Sequence, residues 1–366
     1  MQQITSKELV NNNDKSILIL DIRESDSFND WNIKGSQNID VYKDIWEGKL
    51  DTVKEKLSNL PKDKKIVTVC NAGVTSQKAS ELLESLGYNT LVLEKGMMGW
   101  NALHQSVDVI NEDNLLLKQI IRPGKGCLSY FIGSKKECFI VDPSQFIDEY
   151  IELAKKSGFT IKGIIETHIH ADHLSGAKAL ADATKTKYYV SGKDLKAKID
   201  FIDLKDNDEI EIGDNKIKVI ETPGHTDGSV CLLVNDKAIL TGDTLFLESV
   251  GRPDLGRKKE EVEKGAKLLY STLNKLKNLN KELIVLPAHF TVSDKVPIFE
   301  KLNNLLENNK PLKINSEQEF VDYMLNNLPE FPPNYEQIKN MNDNLIQINN
   351  EEGQKLEFGP NRCASG

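Results

Sequence analysis

Histidine is scarce in this chain, six in 366 residues, yet three fall within His168-Ile169-His170-Ala171-Asp172-His173. The His-x-His alternation places two imidazoles on one side of an extended segment, because side chains alternate with period two. Asp172 and His173 follow at a turn and can face the same centre. Imidazole and carboxylate together form a ligand set for zinc, iron or manganese. Three further loops supply more donors. Thr222-Pro223-Gly224-His225-Thr226 presents His225 on a Pro-Gly turn, Leu240-Thr241-Gly242-Asp243-Thr244 presents Asp243, and Pro287-Ala288-His289 presents a last histidine. Each follows a strand candidate, where a rigid scaffold positions functional groups. One such histidine alone is ordinarily a surface or hydrogen-bonded residue. Five histidines and two aspartates together point to a metal centre. Spacing alone leaves one metal or two open.

A second chemical feature is Cys70-Asn71-Ala72-Gly73-Val74-Thr75-Ser76. It links an apolar run at 66–69 to a helical pattern at 76–87. Backbone N–H groups and the positive end of a helix favour a thiolate there. A cysteine so placed can fall from roughly 8.5 to about 3.5–7.5 in pKa, and the same cradle suits a terminal persulfide. The five cysteines are an odd number without a CxxC pair, which argues against a disulfide framework. Cys138 and Cys231 sit in apolar runs and read as core. Cys127, after Gly124-Lys125-Gly126, reads as structural, and Cys363 as a tail residue.

These groups need elements to position them. Residues 1–105 alternate strand and helix patterns: apolar runs at 17–20, 66–69 and 90–93, with Ala79, Leu82, Leu83 and Leu86 at helical spacing between the last two. That order implies a parallel α/β sheet. The polar stretch 105–114 reads as a linker, centred on 106–114. A second, β-rich domain spans 115–330, with strand candidates at 138–141, 163–167, 216–221, 229–234 and 283–286. A helix is expected over 260–276, with Val262, Ala266, Leu269, Leu273 and Leu276 on one stripe. Residues 331–366, opening on Phe331-Pro332-Pro333, read as a polar, Asn-rich C-terminal extension.

Charge and hydropathy exclude other classes. A net charge of −9 gives no basic face for nucleic acid. No apolar run approaches the roughly 20 residues that span a bilayer, and the first residues lack a basic-then-apolar leader. A cytoplasmic protein without membrane or nucleic-acid partners is expected.

The order His168 to His173, Pro223-Gly224-His225-Thr226-Asp227-Gly228-Ser229, Thr241 to Phe246 and Pro287-Ala288-His289 resembles the metallo-β-lactamase superfamily. Within it, 115–330 is similar to the persulfide dioxygenases, chiefly through Gly242-Asp243-Thr244-Leu245-Phe246 continuing to Gly251-Arg252-Pro253-Asp254. Lys118 to Pro123 and Asn309-Lys310-Pro311-Leu312 fit the same pattern. The resemblance implies an αββα sandwich holding one Fe(2+) per chain on His168, His225 and Asp243. His170, Asp172, His173 and His289 would orient those ligands or hold a second metal. Arg252 would bind the thiol substrate, since its fork of donors suits a carboxylate. The implied reaction takes R-S-SH, O₂ and water to sulfite and R-SH.

Leu20-Asp21-Ile22-Arg23, Trp31 to Ile39, the Cys70 loop and Gly96-Met97-Met98-Gly99-Trp100 resemble a rhodanese domain over 1–105. Cys70 would carry sulfane sulfur, with Asn71, Ala72, Gly73, Val74 and Thr75 forming its loop. Asn71 and Ala72 stand where many thiosulfate-using rhodaneses have cations, which favours persulfide or sulfite as exchange partner. The chain is expected to be a homo-oligomer, dimer or tetramer, coupling persulfide oxidation to persulfide, sulfite and thiosulfate exchange. The alternative is a glyoxalase II-type thioester hydrolase with a dinuclear centre, in which zinc is the metal. A persulfide carrier or sensor with an inactive second domain is a third reading, against which the intact ligand set argues.

Overall fold

The apolar run at 17–20 forms the strand Ile17–Asp21, an inner strand of a five-stranded sheet. The order across that sheet is Gln3–Ile4, Asn89–Leu93, Lys65–Val69, Ile17–Asp21 and Gln37–Asn38, all parallel. Alternation splits it into two cores. Leu20 and Ile66 pack with Leu57 and Leu83 on one face. Val67, Val69, Leu91 and Leu93 pack with Met97 and Trp100 on the other. Both faces are covered, as a parallel sheet requires. This computed structural model describes all residues except 1, 13, 15, 291–295, 332–333, 362–363 and 366; Cys363 therefore lies outside the described residues.

The described chain divides into two units. One comprises Met1–His104, Arg122–Lys125 and Phe358–Pro360, and the other Gln105–Ile121, Gly126–Glu357 and Asn361–Gly366. In the second, a seven-stranded and a six-stranded sheet lie face to face. Leu117, Tyr130, Ile132, Phe139 and Ile165 of one meet Val219, Leu232, Leu240 and Leu286 of the other. The alternate residues point outward. Cys138, Ile140 and Ile164 pack under the helices Ile147–Ser157 and Ala177–Thr184. Cys231 and Ile239 pack under Lys259–Lys277 and Glu317–Asn326. The result is the expected αββα sandwich. The predicted stripe Val262, Ala266, Leu269, Leu273 and Leu276 is buried, each large side chain contributing about 1.5–3 kcal/mol. Among the described residues, no helix is long and apolar enough to cross a membrane.

Two expectations need correction. The stretch 105–114 is no linker. Gln105–Glu112 is a strand, antiparallel to Leu115–Arg122. Val107 and Val109 lean on the inter-sheet core while Ser106 and Asp108 alternate with them, so a half-buried edge strand mimics a polar connector. The segment after 331 is no loose extension either. It contains the helices Tyr335–Asn344 and Asn350–Leu356. Ile338 and Met341 pack against Leu174, a residue just after the metal hexapeptide.

Candidate metal centre

Each donor loop follows a strand. His168 comes after Thr160–Ile165, His225 after Asn215–Glu221, Asp243 after Ala238–Gly242 and His289 after Ile284–Pro287. The last two strands are parallel neighbours with Gly242 opposite Pro287. That register delivers His289 Nδ1 to 2.5 Å from Asp243 Oδ1. Gly242 has φ +51°, and a Cβ there would sit 2.7 Å from Thr167 Oγ1, so glycine lets the Asp243 turn close against the His168 loop.

The donors fall into two groups. In the first, His168 Nε2 and His225 Nε2 each lie 3.6 Å from Asp243 Oδ2, and the three donor atoms lie within 4.8 Å of one another. All three residues are buried. His168 Nε2 and Asp243 Oδ2 have no hydrogen-bond partner among the described residues. Buried polar atoms left unpaired and converging on one point are costly unless something binds them. A single cation reaching each donor at about 2.0–2.2 Å fits that point. The trio therefore suits a metal ion.

Ring tautomers are set from behind. Thr167 N–H donates to Asp142 Oδ1 at 2.7 Å and Thr167 Oγ1 donates to Asp142 Oδ2 at 2.8 Å. With its proton so used, Thr167 Oγ1 accepts from His168 Nδ1 at 3.0 Å. His225 Nδ1 donates to the Arg252 carbonyl at 2.8 Å. Both rings thus turn the Nε2 lone pair inward, as ligation demands. Burial drives the His225 pKa down to about 3 against the charge of Asp243, so this ring is neutral. Burial opposes ionisation of Asp243, but the His289 and His168 imidazoles hold its carboxyl well below the usual range. For His168 burial is outweighed by the Asp243 charge and the pKa rises, a balance that a cation at the centre reverses. Replacing Thr167 by Val keeps the shape and removes the hydroxyl. It is expected to weaken metal binding by about 10–100-fold, measured on apoprotein by competition with a chelator; wild-type affinity would remove this relay from the account.

The second group is Cys127, Asp172, His173 and His289. Cys127 Sγ lies 3.5 Å from Asp172 Oδ2 and 3.6 Å from His173 Nδ1. Asp172 carboxylate oxygens lie 3.0 Å from His173 Nδ1 and 2.9 Å from His289 Nε2. His289 therefore touches both groups. His170 belongs to neither: its Nε2 lies 3.5 Å from Asp142 Oδ1, and burial lowers its pKa to about 4.

Cys127 was expected to be structural, yet it falls in the second donor group. A bridge places it: Leu128 N–H donates to the Ala288 carbonyl at 2.7 Å and Phe290 N–H to that of Gly126 at 3.0 Å. Arg252 also differs from expectation. Its guanidinium is buried and forked onto Asp254 at 2.7 and 2.8 Å, with further bonds to the Pro329 and Glu330 carbonyls. Asp254 fills the fork meant for a substrate carboxylate, and what Arg252 gives the site is its carbonyl, on His225. Gly251 beside it leaves no room for a side chain, since a Cβ would collide with the Asp243 carbonyl oxygen. Asp142, Asp194 and Asn342 are supporting residues that sequence reasoning missed.

In the first unit, the helix after the Cys70 loop begins at Val74, two residues earlier than expected. Cys70 is buried. Its Sγ accepts Ser76 N–H at 3.4 Å and lies 3.3 Å from Ser76 Oγ. Gly73 takes φ +83° at the cap from which the helix starts, with Ala72 exposed before it. Met97 N–H and Met98 N–H bond the carbonyls of Cys70 and Asn71 at 2.9 and 3.0 Å, and a Cβ on Gly96 would collide with the Cys70 carbonyl. Thr75 is buried and Val74 exposed.

Residues 122–289 match the metallo-β-lactamase superfamily and residues 5–103 a rhodanese-like domain. A hydroxyacylglutathione hydrolase of Prochlorococcus marinus is 29% identical over 164 residues, 42% of this chain and 61% of that protein. The chain thus spans less than two thirds of that relative. The mitochondrial persulfide dioxygenase ETHE1 of Homo sapiens is 30% identical over 189 residues, 49% of this chain and 71% of that protein. The crystal structure of ETHE1 from Myxococcus xanthus superposes with a TM-score of 0.56 at 26% identity, over 63% of this chain and 99% of that one.

Proposed function

Given that this chain belongs to the metallo-β-lactamase superfamily and carries a rhodanese-like domain ahead of that fold, we propose that it oxidises a low-molecular-weight thiol persulfide with O₂. The balance is R-S-SH + O₂ + H₂O → R-SH + SO₃²⁻ + 2 H⁺. The observation that carries this reading is the composition of the first donor group: two imidazoles and one carboxylate, with His170 set aside. That trio with open positions is the arrangement of iron oxygenases, and the similarity to persulfide dioxygenases agrees with it. His168, His225 and Asp243 would hold one Fe(2+) per chain, which supplies the one-electron chemistry that O₂ requires and zinc lacks.

The protein's own groups do the rest. Burial of every donor strengthens the charges in the centre. Thr167 and the Arg252 carbonyl hold both imidazoles aimed inward. His289 Nδ1 binds Asp243 Oδ1 and leaves Oδ2 facing the centre. Asp172 is braced between His173 and His289 and keeps both rings oriented beside the trio. In the first unit a Cys70 persulfide would pass its outer sulfur to sulfite: the Cys70 S–S bond breaks, a new S–S bond gives thiosulfate, and the thiolate returns under Ser76 N–H.

A second reading has two observations in its favour. The Cys127, Asp172, His173 and His289 group offers a further set of donors beside the trio, and a hydroxyacylglutathione hydrolase is among the relatives. Two metals activating water would hydrolyse a glutathione thioester. Metal analysis of anaerobically prepared protein, joined to O₂ uptake with glutathione persulfide, separates the two. Near-stoichiometric iron with O₂ consumption is expected. Zinc-rich protein that cleaves a thioester without O₂ would sink the dioxygenase reading.

A further inference from the structure

The helix Tyr335–Asn344 carries two adjacent buried residues, Asn342 and Asp343. Asn342 Nδ2 donates to the carbonyls of His170 at 2.9 Å and His173 at 2.8 Å, and its Oδ1 accepts Ser175 N–H at 3.0 Å. One amide thus satisfies three backbone groups of the metal loop, from a position far along the chain. The Asp343 carbonyl accepts Lys196 N–H at 3.0 Å and Ala197 N–H at 2.9 Å. Its carboxylate takes Lys196 Nζ at 2.5 Å and Lys339 Nζ at 3.3 Å. The loop so held contains Asp194, whose carboxylate accepts Thr226 Oγ1 at 2.6 Å and Gly228 N–H at 2.7 Å beside His225, and Ile169 N–H at 3.4 Å beside His168. Glu357 Oε2 adds Leu174 N–H at 2.8 Å. Three loops of the centre are tied to this one segment.

The His170 ring lies between Asp142 and the ring of His168. Its centroid lies only 4.2 Å from that of His168, and neither ring nitrogen makes a full hydrogen bond among the described residues. The backbone at its own carbonyl is held by Asn342 Nδ2 at 2.9 Å. We propose that Asn342 is a positioning residue that sets which histidines face the metal: by holding the His170 and His173 carbonyls it keeps His170 beside Asp142 and outside the His168, His225 and Asp243 trio. Two imidazoles and a carboxylate favour iron(II), whereas a third imidazole moves the site toward zinc. The inference rests on the metal reading of the trio, not on the reaction proposed for it.

Asn342→Asp keeps size and acceptor and removes both donors. The test uses full-length apoprotein, with Co(II) as a spectroscopic probe and chelator competition for Zn(II) and Fe(II). The variant is expected to alter the visible Co(II) spectrum and to shift the Zn(II)-over-Fe(II) preference by about 10–100-fold toward zinc. Adding His170→Ala to it should return the spectrum to that of wild type. Phe320→Leu, in the core under the other sheet, controls for lost stability alone and should leave the spectrum unchanged. A wild-type spectrum and preference in folded Asn342→Asp would overturn the proposal. So would a spectral change that survives His170→Ala, or one that Phe320→Leu reproduces. If Asn342→Asp does not fold, Asn342→Gln, which displaces the amide by one methylene, is read by the same criteria. O₂ uptake plays no part, so failure here is distinct from failure of the dioxygenase reading.

Discussion

Protein with His225→Ala is expected to fold, to retain sulfur transfer at Cys70, and to show no O₂ uptake with glutathione persulfide above background. His225 is one of three donors in its group among the described residues. It is neutral because burial makes its protonated form unfavourable, so it binds without first releasing a proton. Loss of residues that merely orient a ligand lowers metal affinity by about 10–100-fold, and loss of a ligand costs more. The change also leaves Asp243 Oδ2 facing His168 alone, with His289 still on Oδ1. His170→Ala is the matched comparison. It removes an equally buried ring, from the His168 loop, but takes nothing from either donor group, so iron per chain should stay near wild type. The measurement is iron content of anaerobic protein alongside O₂ consumption. Stoichiometric iron and normal uptake in His225→Ala, or loss of both in His170→Ala, would show that the trio has been drawn around the wrong residues.

That contrast between two buried histidines marks how far the sequence could be read. The hexapeptide was legible because three of six histidines in six residues is a local signal. His225, Asp243 and His289 were legible because each stands on a turn after an apolar run. The two-sheet sandwich was legible from alternation, since inward and outward residues obey period two. What escaped were residues joined to the site only by long-range contact. Cys127 reaches it through a bridge to a strand end over 150 residues away, and Asn342 through a helix whose polar surface hid its short apolar stripe. Arg252 was legible as part of the site but not in its task. Sequence shows Arg252 and Asp254 two apart, yet whether that carboxylate or a substrate fills the fork depends on how the turn closes. The strand at 105–112 was hidden by the same ambiguity: a half-exposed edge and a connector have similar composition.

Cys70→Ser should abolish sulfur transfer while sparing O₂ uptake, and should thereby change the final product. A serine hydroxyl is close in size to the thiol but cannot hold sulfane sulfur, so thiocyanate trapped with cyanide is expected to fall to background. The loop itself should survive. Its shape comes from the left-handed Gly73 and from Met97 and Met98 bonding the Cys70 and Asn71 carbonyls, none of which needs sulfur. Among donors, wild type should prefer a persulfide to thiosulfate, because Asn71 and Ala72 offer no cation to the thiosulfate dianion. The coupled assay is the more demanding one. With persulfide in excess, sulfite formed in the second unit can take sulfur from Cys70 in the first, so wild type should accumulate thiosulfate. Cys70→Ser should consume O₂ at the wild-type rate and accumulate sulfite instead, one per O₂. Equal thiosulfate from both proteins, after correction for the spontaneous reaction, would mean that Cys70 does not act on the sulfite produced. A shared loss of O₂ uptake would instead make the two units one catalytic machine, with persulfide reaching the metal only by way of Cys70.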